Sequence, residues 1–277
     1  MVFRALGCLV VGLLVFNLSI PAAGQNVDLN DMRVRVQTRA REMTIGRQAS
    51  RRFERRAKLI KDATVQRYVD GIAQNVARNS DCVVPVTIKI VDSSEVNAFS
   101  FPGGFLYLTS GLIVAVDDDA EIAAVVAHEI AHVVARDGMK NSRYLGTGSG
   151  LNPIVVAPGG TVGTSELNGY LIPLRIAGST RETDADDRGI QYVQKAGYDP
   201  KALLRFLVKM QAREQTVPNS VLAMFQTHPP TAERVRLAQE RIGAATSPSQ
   251  PNADTAAELQ KIKALLMQNE TSKPEAE

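Results

Sequence analysis

Asp117–Gly138 reads DDDAEIAAVVAHEIAHVVARDG, and the interpretation of the whole chain turns on it. Asp118 with Glu121 three residues on forms a capping box that starts a helix, and Gly138 marks its stop. Ala, Val and Ile fill most positions between them, the composition of a helix packed on most sides. At its centre, His128-Glu129-Ile130-Ala131-His132 sets two imidazoles at i and i+4, hence on one helical face. That geometry offers two nitrogens to one zinc ion. Glu129 stands beside the metal rather than on it, where it can take a proton from a water that the metal activates. Buried polar groups cost free energy unless they are partnered, and a metal supplies the partner.

Upstream, Asn26–Ser80 is expected to be helical. Arg and Lys crowd Arg33–Lys61, either as a solvated helix face or as a surface for anionic lipid or an acidic partner. Ile60, Val65, Tyr68, Val69, Ile72 and Val76 then recur at helical spacing. Val83–Val91 alternates apolar and polar residues, the pattern of a half-buried strand. Asn97–Phe101, Pro102-Gly103-Gly104 and Phe105–Thr109 follow as strand, tight turn, strand. The hairpin is either ordinary or a sheet edge beside the zinc helix, with Gly104, Phe105, Leu106 and Tyr107 pairing a substrate strand through main-chain hydrogen bonds.

Downstream, 139–179 is the least regular stretch, and a segment of this length between site residues is expected to act as a lid or plug. Thr180–Ala196 returns to helix, a further core helix follows Asp199-Pro200, and Thr231–Ile242 forms another after Thr227-His228-Pro229-Pro230. The expected organisation is a signal peptide over 1–24, a catalytic domain over 25–245, and over 246–277 a linker with a short C-terminal helix, Ala256–Met267, and a tail. The fold class is α+β and zincin-like, mainly helical, with a small, mostly antiparallel sheet beside the helix that carries both histidines.

Residues 1–24 show the features of a secretory signal: Arg4, then apolar Ala5–Phe16, then small residues up to Gly24. Cleavage there predicts an exported, periplasmic or secreted chain, with no later segment apolar enough to span a membrane. It would also leave Cys82 as the sole thiol, with no internal disulfide. A net charge of +3, no Trp and few aromatic residues argue against nucleic acid as a partner.

A catalytic zinc takes three protein ligands and keeps one position open. Glu182 and Asp186, four apart on one helix, can supply a third ligand and an acceptor for the free N–H of a ligand imidazole. Asp184 and Asp187 beside them allow the plainer reading of a solvated acidic face. His228, before two prolines, can stabilise an oxyanion, take the fourth zinc position, or be a loop histidine. Arg234 either assists electrostatically or pairs with an acid.

Four motifs stand in order: Asn97-Ala98-Phe99 with Pro102-Gly103-Gly104 and Thr109-Ser110-Gly111-Leu112; His128-Glu129-x-x-His132; Arg181-Glu182-x-x-Ala185-Asp186; and Thr227-His228-Pro229-Pro230 with Glu233-Arg234. Over Glu42–Ile242 the chain thereby resembles the zinc metallopeptidases that include the CAAX prenyl proteases, HtpX and the exported BepA-type peptidases. The resemblance implies a gluzincin holding one Zn2+ per chain through His128, His132 and Glu182. It implies Glu129 as base, Asp186 as orienting partner, His228 at the active site and the hairpin as a cleft wall. It also implies polypeptide substrates among unfolded or misassembled envelope proteins, with outer-membrane or envelope assembly machinery as a partner. Absent spanning helices argue against a prenyl-protein substrate. The roughly thirty residues after the last peptidase helix are too few for a tetratricopeptide array. The stretch between the ligand helices is richer in Gly than the family leads one to expect. The rival expectation is a self-inhibited or chaperone-like zinc protein whose closed site is mainly structural.

Overall fold

A computed structural model describes residues 29–140, 163–167, 170–174, 179–214, 228, 232–243 and 253–271. The expected signal peptide, most of the expected lid (141–162, 168–169 and 175–178) and the final residues of the tail lie outside them. The chain comprises two compact units, Met1–Gln37 and Thr38–Glu277. The described part of the first is the start of helix α1 (Leu29–Glu54), and everything below concerns the second.

Helix α2 (Ala63–Arg78) begins where Asp62 accepts hydrogen bonds from the Thr64 and Val65 amides, at 2.7 and 3.0 Å. Its apolar stripe, Val65, Val69, Ile72 and Val76, is buried. Strands β1 (Thr87–Val91), β2 (Ala98–Phe101) and β3 (Phe105–Thr109) follow and form one sheet in the order β1-β3-β2. Residues 92–97 carry the chain past the position of β3, and the Pro-Gly-Gly turn brings it back into the gap. Gly103 and Gly104 both take positive φ, 81° and 90°, which only glycine adopts cheaply. The sheet is therefore mixed rather than mostly antiparallel: β1 runs parallel to β3 and β2 antiparallel to it.

That topology corrects the edge assignment. Phe105, Leu106 and Tyr107 lie on the central strand, whose main chain is paired on both sides. The Gly104 carbonyl accepts from the Thr87 amide at 2.9 Å. None of these four residues can receive a substrate strand. Among the described residues the free side next to the histidine helix belongs to β2.

The two faces of the sheet have different cores. Leu106, Leu108 and Ala98 join the main core with α2 and with α4 (Asp119–Ala135). Phe99 and Tyr107 point the other way and pack with Phe53 of α1, with Phe101 at the margin. Their rings meet edge-on or stacked at 4.9–5.2 Å between centroids, the arrangements aromatic quadrupoles favour.

Between sheet and site, the short helix α3 (Ser110–Ala115) leads into α4. The Asp118 side chain accepts from the Glu121 amide at 2.9 Å, while the Glu121 carboxylate accepts from the Asp117 amide at 3.0 Å. Glu121 is fully buried and bonds Lys209 at 2.6 Å, so the start of α4 is tied to α7 (Lys201–Glu214). The far end of α4 stops before Gly138. Arg136 takes the left-handed conformation, φ 57°, and its amide caps the carbonyls of His132 and Val133. Its side chain is held by buried Glu42 at 2.7 Å. A single turn, α5 (Asp137–Lys140), follows.

Within the expected lid, β4 (Gly163–Leu167) and β5 (Tyr170–Leu174) pair antiparallel. Helices α6 (Ser179–Lys195), α7 and α8 (Ala232–Ile242) then build against α4 and one another. The C-terminal helix α9 (Ala253–Thr271) is longer than its sequence span suggests and is no appended tail. Leu259, Ile262 and Leu266 form one stripe and are buried against α2, α3 and α4.

Candidate metal centre

Helices α4 and α6 lie side by side, and the pair is close because Gly189 faces α4. A Cβ there would sit 3.3 Å from the His128 amide nitrogen. The close approach brings Glu182 and Asp186, one turn apart on α6, against the histidine face of α4. Both are buried, as are His128, Glu129 and His132. Asp184 is exposed, so burial separates the site acids from their neighbours.

Four side chains turn a donor atom toward one point: His128, His132, Glu182 and His228. The Nε2 atoms of His128 and His132 are 3.0 Å apart. Glu182 Oε2 is 3.3 Å from His128 Nε2, and Glu182 Oε1 is 3.4 Å from His132 Nε2. His228 Nδ1 lies 3.2 Å from His128 Nε2 and 3.0 Å from Glu182 Oε2. A tetrahedron with metal–donor bonds near 2.0–2.1 Å has edges of about 3.3–3.4 Å, so these spacings fit a metal's ligand shell. Buried Glu182 Oε1 has no hydrogen-bond partner among the described residues, which is costly unless a cation meets it. The donor set of imidazole and carboxylate suits zinc or a similar divalent ion.

Each imidazole of the pair on α4 is backed by its own carboxylate. His132 Nδ1 is 2.9 Å from Asp137 Oδ2, and His128 Nδ1 is 2.9 Å from Asp186 Oδ1, the latter off the line of a good hydrogen bond. Such partners fix the tautomer and leave Nε2 for the metal. Arg234 of α8 grips Asp186 with two nitrogens, Nε and Nη2, at 2.7 and 2.8 Å. Its Nη1 donates to the His228 carbonyl at 3.0 Å and lies 3.2 Å from Glu182. Buried Arg234 therefore connects Asp186, Glu182 and the His228 backbone. On the opposite side, Ser100 of β2 donates to Glu129 Oε2 at 2.9 Å, and His228 Nε2 is 3.5 Å from Glu129 Oε1.

The charges in this cluster sustain one another. Burial alone would lower the His132 pKa, but Asp137 and Glu182 outweigh it and push it up to about 10. Burial likewise opposes the charge on His128, and Asp186 and Glu182 again raise its pKa. Glu182 and Asp186 would be raised by burial. The histidines instead hold Glu182 well below the ordinary carboxylate range, and Arg234 holds Asp186 down. A cation is thus favoured at this point, as protons or as metal.

The structure groups His128, Glu129, His132, Glu182, Asp186, His228 and Arg234 at one site. It leaves Gly104, Phe105, Leu106 and Tyr107 in the sheet interior. Sequence reasoning missed Asp137, Ser100 and Gly189. Asp137 stands just past the left-handed cap, where no helical periodicity points to it. Ser100 alternates toward Glu129 from β2, a signal present in the strand pattern but silent without the register.

Comparison with known proteins extends over most of this region. Peptidase family M48 matches residues 59–242. The beta-barrel assembly-enhancing protease of Escherichia coli is 31% identical over 214 residues, covering 72% of this chain and 43% of that protein. The metalloprotease LoiP of Escherichia coli is 29% identical over 167 residues, 58% of this chain and 64% of LoiP. The mitochondrial metalloendopeptidase OMA1 of Schizosaccharomyces pombe is 29% identical over 157 residues, 55% of this chain and 45% of its own length. The chain spans less than half the length of the assembly-enhancing protease it matches.

Proposed function

This chain belongs to peptidase family M48, a metalloprotease by class, and we propose that it is a zinc-dependent endopeptidase of unfolded or misassembled envelope polypeptides. One observation carries the reading: the buried His128, His132 and Glu182 and the half-buried His228 bring donor atoms within 4.8 Å of one another, with the Glu129 carboxylate beside them. His128, His132 and Glu182 would hold the ion. Zinc bound there would supply a Lewis acid for the scissile carbonyl and for the attacking water. Glu129 accepts the proton of the attacking water and returns it to the leaving amine. Ser100 holds one oxygen of Glu129, leaving the other for that exchange. Asp137 and Asp186 keep the imidazoles in the metal-binding tautomer. A substrate strand would pair with β2, which lies against α4 and has one strand neighbour among the described residues.

A second reading concerns regulation. His228 Nδ1 is within the donor cluster, so His228 closes the fourth position in a resting state. It must withdraw before substrate enters. Export to the periplasm by the 1–24 signal, and work beside outer-membrane assembly machinery, complete the proposal. The relatives' names support the second part.

Metal analysis of the purified chain, with cleavage of an unfolded protein such as casein before and after chelation, tests this function. One zinc per chain and chelator-sensitive cleavage are expected. A tightly held metal with no cleavage, in wild type and in His228→Ala alike, favours the structural site instead. Increased activity of His228→Ala supports closure by His228, and lost activity makes it a catalytic group.

A further inference from the structure

The basic run of α1 is not used by the metal centre. Nine of the chain's 32 basic residues and two of its 29 acidic ones lie between Arg39 and Lys61, so this segment carries +7 and the remainder −4. Both acids are turned inward. Glu42 is buried on Arg136, and Glu54 takes Lys89 and the Tyr107 hydroxyl, each at 2.6 Å. Glu42, Gly46, Ser50 and Phe53 make the buried face of the helix. At 100° per residue, Arg47 and Arg51 fall opposite that face in one row, continued by Arg55 in the turn just after α1, whose amide bonds the Arg51 carbonyl, with Arg41 and Arg52 alongside. All five are exposed, and among the described residues no carboxylate pairs with Arg47, Arg51 or Arg55.

We propose that this arginine face of α1 is a docking surface for anionic phospholipid. The composition of the face selects the partner. Protein interfaces anchor on buried aromatic or large apolar side chains. The outward positions between these arginines are Ala40, Thr44 and Gln48, and among the described residues the exposed large apolar ones, Val83, Val208 and Met267, lie elsewhere. The only aromatic ring of this segment, Phe53, is buried in the sheet's outer core, so no base-stacking platform is offered either. A headgroup plane needs only charge and a fork that fits phosphate, which guanidinium supplies. Without apolar side chains to insert, attachment is electrostatic and reversible. α1 packs on the sheet face opposite the one that meets α4, so its arginines and Ser100, which reaches Glu129, lie on opposite sides of the sheet.

Near an anionic surface each basic residue raises partition about fivefold. The test is co-sedimentation of the full chain with phosphatidylcholine vesicles, alone or with phosphatidylglycerol at a third of the lipid, at low and high salt. Binding to the mixed vesicles at low salt is expected, with loss at high salt as the charges are screened. Arg47→Glu/Arg51→Glu/Arg55→Glu should lower the partition coefficient more than tenfold with an unchanged melting temperature. Arg78→Glu/Lys201→Glu/Lys261→Glu, the same change in net charge on other exposed sites, should retain most of the binding. Equal partition into neutral and anionic vesicles overturns the proposal, as does equal loss in both triple variants. So does binding to polyglutamate without binding to vesicles, which would assign the face to an acidic protein.

Discussion

Helices α4 and α6 are each 17 residues long and both supply the candidate metal centre, yet they reach it in opposite ways. In α4 every residue from Glu121 to Val133 is buried, so its histidines have no choice of face. In α6 buried and exposed residues alternate around the helix, and four acids crowd two turns. Only packing against α4 makes Glu182 and Asp186 part of the site and leaves Asp184 in water. Residue type sets the role on α4, whereas burial sets it on α6.

The largest effects should separate the two roles. Glu129→Gln should keep metal and lower cleavage by about two to four orders of magnitude, the usual worth of a positioned acid–base group. Glu182→Ala should lose both metal and cleavage, read as metal per chain after gel filtration. Full activity in Glu129→Gln would remove it from the base role.

Next come the carboxylates behind the imidazoles. Asp137→Asn and Asp186→Asn should each weaken metal affinity about 10–100-fold, as loss of an orienting partner does elsewhere. Asp184→Asn should change nothing measurable. A chelator-competition titration that ranked Asp184 with Asp186 would break the burial argument.

The pH dependence of the metal-stripped chain follows from the same charges. His132 has its folded pKa raised to about 10, above its ordinary 6.5. The stability from its charged form is complete below the ordinary value and lost as pH rises through about 10. Glu182 and Asp186 have lowered folded pKa values, so their contribution is lost as pH falls below the ordinary carboxylate range. Melting temperature without metal should therefore be highest near about pH 5–6.5 and decline on the alkaline side. With metal bound, the neutral imidazoles are the stable form and the alkaline decline should shrink. Identical alkaline profiles would contradict the coupling.

The smallest effect concerns the contact itself. Gly189→Ala adds a methyl 3.3 Å from α4 backbone that is buried and cannot move aside freely. A few-fold loss of metal affinity is expected, with stability lowered by about 1 kcal/mol or more. An unchanged affinity would show that the helices can separate without disturbing the donors.

Much of this was legible in the sequence, for reasons that differ by element. The α4 site residues fall within five positions of one helix, so periodicity alone places them. The strands were visible as alternation, but their order was not. Nothing in residues 92–97 reveals that β2 is laid down outside the place β3 will take, and so the alternation alone does not say which strand is the edge. Asp137 was hidden because a left-handed Arg136 turns the chain where a helical pattern would have carried it onward. The C-terminal helix showed its apolar residues but not that a groove between α2, α3 and α4 awaited them.

That last helix bears on when the site becomes competent. Leu259, Ile262 and Leu266 cover apolar surface beside α4, yet the chain reaches them only after both histidines and Glu182. Domains fold as their chains emerge, and this one lacks a wall of its core until α9 docks. A chain that already carries all three of those side chains therefore has an unfinished scaffold behind α4 until that wall is in place.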